Sequence, residues 1–233
     1  MKQHDITPSF GTVIEGLDVT DLDAPTARRL YETWQRRHVL VLRKQRRGAC
    51  AALAASLGDF ERMPVAVSET PWDAELSRTS RPPFGCLLQC TDAPAAGALW
   101  FASLPAALRS MAPDLAMRLH WLALQHGDNV HPMVIMHPET GEHTLYLGAR
   151  SGSRIPGVPA TESDRLLNIV WSYATAASVT FAHQWQPGDL VLWNNLTTAH
   201  RHDPVPAGPQ RVLEGLRVKC RYTLSAPIQQ EAA

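Results

Sequence analysis

Short strand patterns alternate with a few helical ones along the first part of the chain. Residues from Gly11 to Thr20 alternate between apolar and polar positions as a strand or hairpin arm does, and a helical pattern follows over 25–37. The continuous apolar run from His38 to Arg43 is typical of a strand buried on both faces. An Ala-rich helix is predicted from about Ala49 to Leu57, with Gly58 as its C-terminal cap.

Strand patterns dominate the remainder of the chain. Two short helices separated by Pro113 are predicted between Ser103 and Leu124, and a longer helix from about Glu162 to Ala174 follows a near capping box that begins at Thr161. The predicted strands are Phe84 to Leu88, Met133 to Met136, Thr144 to Leu147, Val179 to Trp185, Leu190 to Trp193 and Val212 to Leu224. This order predicts a mainly β fold with peripheral helices, a distorted two-sheet barrel or jelly roll, in preference to an alternating βαβ fold.

Length and charge narrow the class of protein. The 233 residues suit one domain over 1–233, and no linker divides them. Because 22 basic residues balance 22 acidic ones, the chain has no electrostatic footprint for nucleic acid or an anionic membrane. No signal-peptide core or apolar membrane span is evident, so we expect a cytoplasmic protein with a small-molecule partner. Self-association into a homo-oligomer is left open.

Few familiar motifs are present. The chain has no phosphate-binding glycine motif, no nucleophile elbow and no CxxC pair. Cys86 and Cys90 are predicted to be small buried apolar residues. The informative stretch runs from Gln186 to His200, QPGDLVLWNNLTTAH, in which a turn leads into an apolar strand and a histidine lies beyond it. Strand ends at a barrel mouth are natural places for catalytic groups, although a single histidine is more often structural.

This stretch resembles the C-terminal part of the taurine-dioxygenase-like (TauD/TfdA) family of non-haem Fe(II)/2-oxoglutarate oxygenases. In that family a Pro-x-Asp turn, an apolar strand with Trp and Asn, and a metal-binding histidine occur in this order, and His200 matches the histidine. A downstream arginine binds the 2-oxoglutarate carboxylate in the family. Arg217 is the best match to it and Arg211 is the fallback.

The resemblance covers most of the chain in collinear order. The segments GTVIEGLDVTDL, HVLVLRKQ, HPMVIMHPETG and SRIPGVPATES each resemble family segments. The resemblance therefore implies the double-stranded β-helix fold, with Fe(II) and 2-oxoglutarate as cofactors. Trp193, Asn195 and Trp100 are expected to face or flank the pocket in such a fold, although core packing is the default for both tryptophans.

The sequence departs from the family where the metal is bound. Family members bind iron with His-x-Asp and the distal histidine, which together supply two imidazoles and one carboxylate. The equivalent stretch here places Asp73 where the histidine is expected and Glu75 where the aspartate is expected. A threonine that helps to hold 2-oxoglutarate is replaced by Ala98. Asp73 and Glu75 could also be solvated loop acids.

The replacement of a histidine ligand by a carboxylate would change the net charge of the metal site. An ordinary triad leaves Fe(II) with net positive charge for a dianionic cosubstrate, whereas Asp73 and Glu75 would neutralise the metal first. Because carboxylates are harder ligands than imidazole, such a site would favour Mg²⁺, Mn²⁺ or Ca²⁺, or would bind no metal. Without a cation, neighbouring carboxylates should raise one carboxyl pKa and favour the imidazolium form of His200.

These features lead to three hypotheses. The first is a small-molecule-modifying enzyme with a rewritten metal site, in which Asp73, Glu75 and His200 catalyse a redox-neutral acid–base step in specialised metabolism. The second is an Fe(II)/2-oxoglutarate hydroxylase that uses these same three residues as metal ligands. The third is a non-catalytic relative that binds a ligand. Whether Fe(II) and 2-oxoglutarate are retained, and which substrate is used, stays open.

Overall fold

The computed structural model describes residues 1–65, 69–92, 97–204, 212–222 and 224. Arg211, the fallback cosubstrate residue, lies outside them. The described helices are α1 (Ala24–Arg37), α2 (Ala49–Leu57), α3 (Leu104–Ser110), α4 (Pro113–Leu119) and α5 (Ala160–Ala174). The described strands are β1 (Lys2–Asp5), β2 (Thr12–Glu15), β3 (Val39–Leu42), β4 (Phe60–Arg62), β5 (Gly85–Asp92), β6 (Leu99–Ser103), β7 (Ala123–His126), β8 (Asn129–Pro132), β9 (Val134–Met136), β10 (His143–Leu145), β11 (Ser153–Arg154), β12 (Thr180–His183), β13 (Leu190–Asn194), β14 (Thr198–His202) and β15 (Val212–Val218).

Two sheets form the centre of the fold. The main sheet has the strand order β1-β2-β3-β13-β5-β15-β4, and the second has the order β12-β6-β14. Two smaller, separate sheets have the strand orders β10-β9 and β11-β7-β8. All pairs are antiparallel except β2 with β3 among the described strands. The mainly β architecture with peripheral helices is as predicted.

Burial on both faces explains the continuous apolar runs. In β3, Val39 and Val41 belong to a core cluster that also holds Phe101 of β6 and Phe181 of β12, so these side chains fill the space between the sheets. The alternate residues Leu40 and Leu42 join the core beneath α1 and α2 on the other face. Because successive side chains of a strand point to opposite faces, such a central strand is apolar at every position.

Helices cover the outer faces of both sheets. Trp34 of α1 and Leu53 of α2 pack against the main sheet, while Leu108 of α3 and Leu167 of α5 pack against the second. Asp23 caps α1 by accepting a hydrogen bond from the Thr26 amide at 2.7 Å, which satisfies one of the free N–H groups of the first turn. No helix in the described part of the chain is both long and apolar enough to cross a membrane.

Several predicted boundaries differ from those observed. Helix α5 begins at Ala160 with Pro159 at its N-cap, and Thr161 forms no side-chain cap. The last strand ends at Val218, before the predicted limit at Leu224. Cys86 and Cys90 are fully buried, as predicted.

Candidate active site

A cavity of about 230 Å³ lies at one end of the space between the two sheets. It brings together all three predicted catalytic residues, Asp73, Glu75 and His200. Its wall also includes the described residues Met63, Pro64, Val65, Thr70, Pro71, Leu88 and His202. An apolar wall with a few converging polar groups is the usual make-up of a small-molecule site.

His200 reaches the cavity because of its register in the second sheet. It lies opposite Phe101 of β6, and its ring centroid is 5.1 Å from that of Trp193 in the main sheet. The residue is 8% exposed, and its Nδ1 has no hydrogen-bond partner. Burial lowers the pKa of His200 to about 3, with the nearby His202 as a smaller cause. The imidazole is therefore neutral at physiological pH, and the prediction that it would be an imidazolium is wrong.

The segment that carries Asp73 is held against β14 by backbone pairing. The Asp73 amide donates to the His200 carbonyl at 3.0 Å, and the His200 amide donates to the Asp73 carbonyl at 2.9 Å. At the cavity wall, the Thr70 amide donates to the His202 carbonyl at 3.1 Å. These bonds pair the segment from Thr70 to Asp73 with β14 at the edge of the second sheet, and this pairing fixes Asp73 next to His200.

The Asp73 carboxylate heads a short hydrogen-bonded chain. The Ser77 hydroxyl donates to Asp73 Oδ1 at 2.9 Å, and Ser77 Oγ lies 3.2 Å from His126 Nδ1. Because the hydroxyl has one proton, His126 Nδ1 is the donor of the second bond. Burial raises the pKa of Asp73 to about 6, opposed by the Ser77 and Ala74 hydrogen bonds and reinforced by the nearby Glu75. A raised carboxyl pKa agrees with the prediction, but its main cause is burial and the neighbouring carboxylate contributes less.

Glu75 is held by its backbone and by an ion pair. Its amide donates to Asn195 Oδ1 at 2.7 Å, while Asn195 Nδ2 donates to the Glu75 carbonyl at 2.9 Å. Its carboxylate lies 3.6 Å from Nη1 of Arg217. Burial raises the pKa of Glu75, and the guanidinium of Arg217 opposes that rise.

Arg217 projects from β15 toward the same end of the sheet. It lies opposite Cys86 of β5 and is 9% exposed. Its Nη1 is also 3.9 Å from the Glu61 carboxylate, and its Nε has no hydrogen-bond partner. The structure thus places Arg217 close to the candidate site, with two glutamates sharing its charge.

The three candidate ligands do not fit the metal centre that the resemblance implies. They supply one imidazole and two carboxylates, whereas the facial triad has two imidazoles and one carboxylate. The Asp73 carboxylate accepts from Ser77, and the Glu75 carboxylate is paired with Arg217. Across the described ranges, no group of three or more His, Cys, Asp or Glu side chains is arranged to hold a metal ion.

The three residues expected to flank the pocket have different positions. Trp193 contacts His200 from the core and does not line the cavity. Asn195 is buried and joins Glu75 to the Pro83 carbonyl, which its Nδ2 reaches at 3.1 Å.

Trp100 lies outside the pocket, so the expectation for it is wrong. It neighbours Phe101 in β6 and therefore points to the opposite face of the sheet. There its ring contacts the guanidinium of Arg201 at 4.7 Å, and its Nε1 donates to Asp203 at 2.9 Å.

Sequence reasoning missed Ser77, His126 and His202 as site residues. Ser77 is four residues from Asp73, a spacing that could have drawn attention to it. His126 lies in β7, far along the chain, and no local signal connects it to Asp73. His202 lies two residues after His200, and this period of two places both histidines on one face of β14.

Comparison with characterised proteins identifies relatives along nearly the whole chain. The (S)-phenoxypropionate/alpha-ketoglutarate-dioxygenase of Sphingobium herbicidovorans is 26% identical over 271 residues, covering 92% of this chain and 94% of its own. The enzyme of the same name from Delftia acidovorans is 44% identical over 73 residues, covering 31% of this chain and 25% of its own.

Solved structures share the fold. AAD-2, in complex with Mn(II) and N-oxalylglycine, superposes with a TM-score of 0.86 at 21% identity, covering 97% of this chain and 100% of its own. A taurine dioxygenase from Burkholderia xenovorans gives 0.83 at 23% identity, covering 95% and 92%. The predicted double-stranded β-helix fold is thereby confirmed. The model of the taurine catabolism dioxygenase TauD, TfdA family matches residues 2–217, and the chain belongs to this family.

Proposed function

We propose that this TauD/TfdA-family chain is a small-molecule-modifying enzyme with a rewritten metal position, which catalyses a redox-neutral acid–base step. One observation carries the proposal. A single cavity holds a carboxyl group with a pKa raised to about 6 and a neutral buried imidazole, while the remaining carboxylate is paired with arginine. Titratable groups with such separated pKa values are a mark of acid–base sites.

The three residues have different roles in this proposal. The raised pKa makes the Asp73 carboxylate a stronger base than an exposed aspartate, so it takes a proton from an acidic C–H of the substrate. His200 stays neutral and donates a hydrogen bond to the oxygen that becomes negative. Asp73 then returns the proton to a neighbouring substrate atom. One proton leaves and one is added, so the product is an isomer and no oxidant is needed.

Glu75 has a positioning role in this scheme. Its backbone is fixed by Asn195, and its carboxylate is fixed by Arg217. Its negative charge favours the protonated form of Asp73 after the proton has been taken up. Because the donor set of one imidazole and two carboxylates does not match the facial triad, the proposed step uses neither iron nor 2-oxoglutarate.

Proton exchange tests this proposal directly. The protein is incubated in D₂O with a panel of small carbonyl compounds that carry an acidic C–H, and deuterium uptake is measured by mass spectrometry. We expect enzyme-dependent exchange in at least one compound, abolished in Asp73→Asn and strongly reduced in His200→Asn. Asp203→Asn is the matched control, because Asp203 pairs with Arg201 and Trp100 outside the cavity. Exchange no faster than in buffer for every compound would contradict the proposal.

A second candidate is an Fe(II)/2-oxoglutarate hydroxylase that uses Asp73, Glu75 and His200 as ligands. The observation that favours it is that the His200 imidazole and both carboxylates line one cavity. It requires stoichiometric Fe(II) binding and substrate-dependent formation of succinate. A non-catalytic relative would instead bind a ligand and retain its biological output in Asp73→Ala and His200→Ala.

A further inference from the structure

We infer that the cavity binds a small molecule with a cationic head, such as a primary amine, and an apolar body. The inference deepens the proposed function, because it rests on the same cavity being the substrate site. It concerns recognition alone. Binding can therefore be tested without knowledge of the reaction.

The charges around the cavity carry the inference. Among its described wall residues, Asp73 and Glu75 are acidic and none is lysine or arginine. The nearby cation, Arg217, lies 3.6 Å from Glu75 and 3.9 Å from Glu61, so two carboxylates already share its charge. Among the described residues, Asp73 accepts a hydrogen bond from the neutral Ser77 hydroxyl and forms no ion pair with a lysine or an arginine. Its negative charge is therefore available to a bound cation.

The remaining wall determines the rest of the ligand. Met63, Val65 and Leu88 present apolar side chains to the cavity and suit a short hydrocarbon or ring. His200, 8% exposed, lines the same cavity and adds a polar imidazole to its wall beyond the two carboxylates. A volume of about 230 Å³ limits the size of the ligand to that of a small molecule.

An anionic ligand would be disfavoured at this wall. Its carboxylate or sulfonate would lie beside Asp73 and Glu75, and like charges in a partly buried site repel each other. Two of the relatives compared above, both (S)-phenoxypropionate/alpha-ketoglutarate-dioxygenases, are named for a substrate that is a carboxylate anion. We therefore expect this chain to have the opposite charge preference.

Three probes of matched shape test the inference: 2-phenylethylamine, 2-phenylethanol and 3-phenylpropionate. Binding to the full chain is measured at pH 8 by calorimetry and by saturation-transfer NMR. We expect the amine to bind on the order of tenfold or more tightly than the alcohol, since one charge-assisted contact contributes about that factor. The carboxylate should show no binding. The amine affinity should fall at high salt.

Variants locate the binding site. Asp73→Asn and Glu75→Gln should each weaken amine binding on the order of tenfold, with the alcohol less affected. Asp203→Asn, outside the cavity, should bind the amine as the unmodified chain does. Thermal unfolding of every variant verifies that it is folded. The inference is overturned if 3-phenylpropionate binds as well as the amine, if no probe binds, or if neither cavity substitution changes amine affinity.

The results also separate this inference from the proposed function. Amine binding that depends on Asp73, without deuterium exchange in any amine-bearing carbonyl compound, would support the binding site and reject the acid–base step. Exchange confined to anionic compounds would support the acid–base step and reject the cationic ligand.

Discussion

Asp73 occupies an environment in which its ionised form is costly to the folded state. Burial raises its pKa from 3.8 to about 6, so the unfolded chain releases this proton at a lower pH than the folded chain does. Stability that is present below pH 3.8 is therefore lost as the pH rises toward 6. A group that weakens the fold in its ionised form is a common feature of functional sites.

Asp73→Asn should remove this cost and keep an acceptor for Ser77. We expect its stability relative to the unmodified chain to improve by about 1 kcal/mol between pH 5 and pH 7.5. Urea unfolding at the two pH values measures the change. Asp203→Asn should not show this gain: the slight burial of Asp203 raises its pKa, but bonds from Trp100 and Arg201 outweigh it and lower the pKa overall. An equal effect of Asp73→Asn at both pH values would disprove the buried-carboxyl account.

Because Gly148 has no side chain, it leaves room for the contact between Ser77 and His126. A methyl group at this position would clash with His126 Nδ1 and lie 2.9 Å from Ser77 Oγ. We expect Gly148→Ala to lower the free energy of unfolding by about 1 to 3 kcal/mol, as overpacking does. The loss should shrink in a His126→Ala background, because the obstructing ring is then absent. The same loss in both backgrounds would mean that the histidine is not the obstacle.

At the scale of elements, the turn between β13 and β14 holds the active-site segment in place. Asn195 in this turn exchanges two hydrogen bonds with the Glu75 backbone and donates a third to the Pro83 carbonyl. The loop before β5 and the end of β13 are thereby connected through one buried amide. Glu75 owes its position at the cavity to this connection.

Asn195→Ala should cost about 2 to 4 kcal/mol, because it leaves buried backbone groups without partners. Hydrogen exchange at the Glu75 amide should accelerate more than exchange in β3. Asn129→Ala is the control: Asn129 makes one exposed bond to the Thr79 carbonyl, so its loss should cost less than about 1 kcal/mol. Similar losses in the two variants would show that the Asn195 bonds do not anchor the segment.

Element-scale prediction succeeded where the signal is local. The apolar run at β3 and the Ala-rich pattern of α2 are visible over a few residues, and both elements were placed close to their observed limits. Trp100 was expected at the pocket because the sequence alone does not show which alternate residues of β6 face the cavity. The bridge between Asp73 and His200 joins residues far apart in the chain, and only the folded register reveals it.

At the scale of the whole molecule, buried histidines make the fold sensitive to acid. Burial lowers the pKa of His38 and that of His137 to about 4, with two nearby arginines as a further cause for His38 and with His38 as a further cause for His137. The unfolded chain binds protons near pH 6.5 at both positions, whereas the folded chain does not bind them until about pH 4. Their contribution to stability is therefore full above pH 6.5 and falls as the pH decreases through this window.

We expect these two residues to lower the free energy of unfolding by about 2 kcal/mol each between pH 7.5 and pH 4.5. Urea unfolding across that range measures the decline. His137→Gln should reduce the decline by about 2 kcal/mol, whereas His4→Gln, at an exposed position in β1, should leave it unchanged. A stability independent of pH in this range would contradict the burial of both imidazoles in the folded chain.

Family and fold could be inferred from sequence because the resemblance runs through most of the chain, and the family match over residues 2–217 confirms it. The candidate site was predicted through that same resemblance, which brought Asp73, Glu75 and His200 to one place. The neutral state of His200 was not predicted, because burial depends on the packing of both sheets around it.

We propose that Asp73, Glu75 and His200 do not form an iron-and-2-oxoglutarate site. Anaerobic titration of the purified protein with Fe(II) and 2-oxoglutarate tests it most directly, since the metal-to-ligand charge-transfer band requires iron and bidentate cosubstrate together. We predict no such band and substoichiometric iron after desalting. A saturable band at one iron per chain, lost in His200→Ala, would contradict the account.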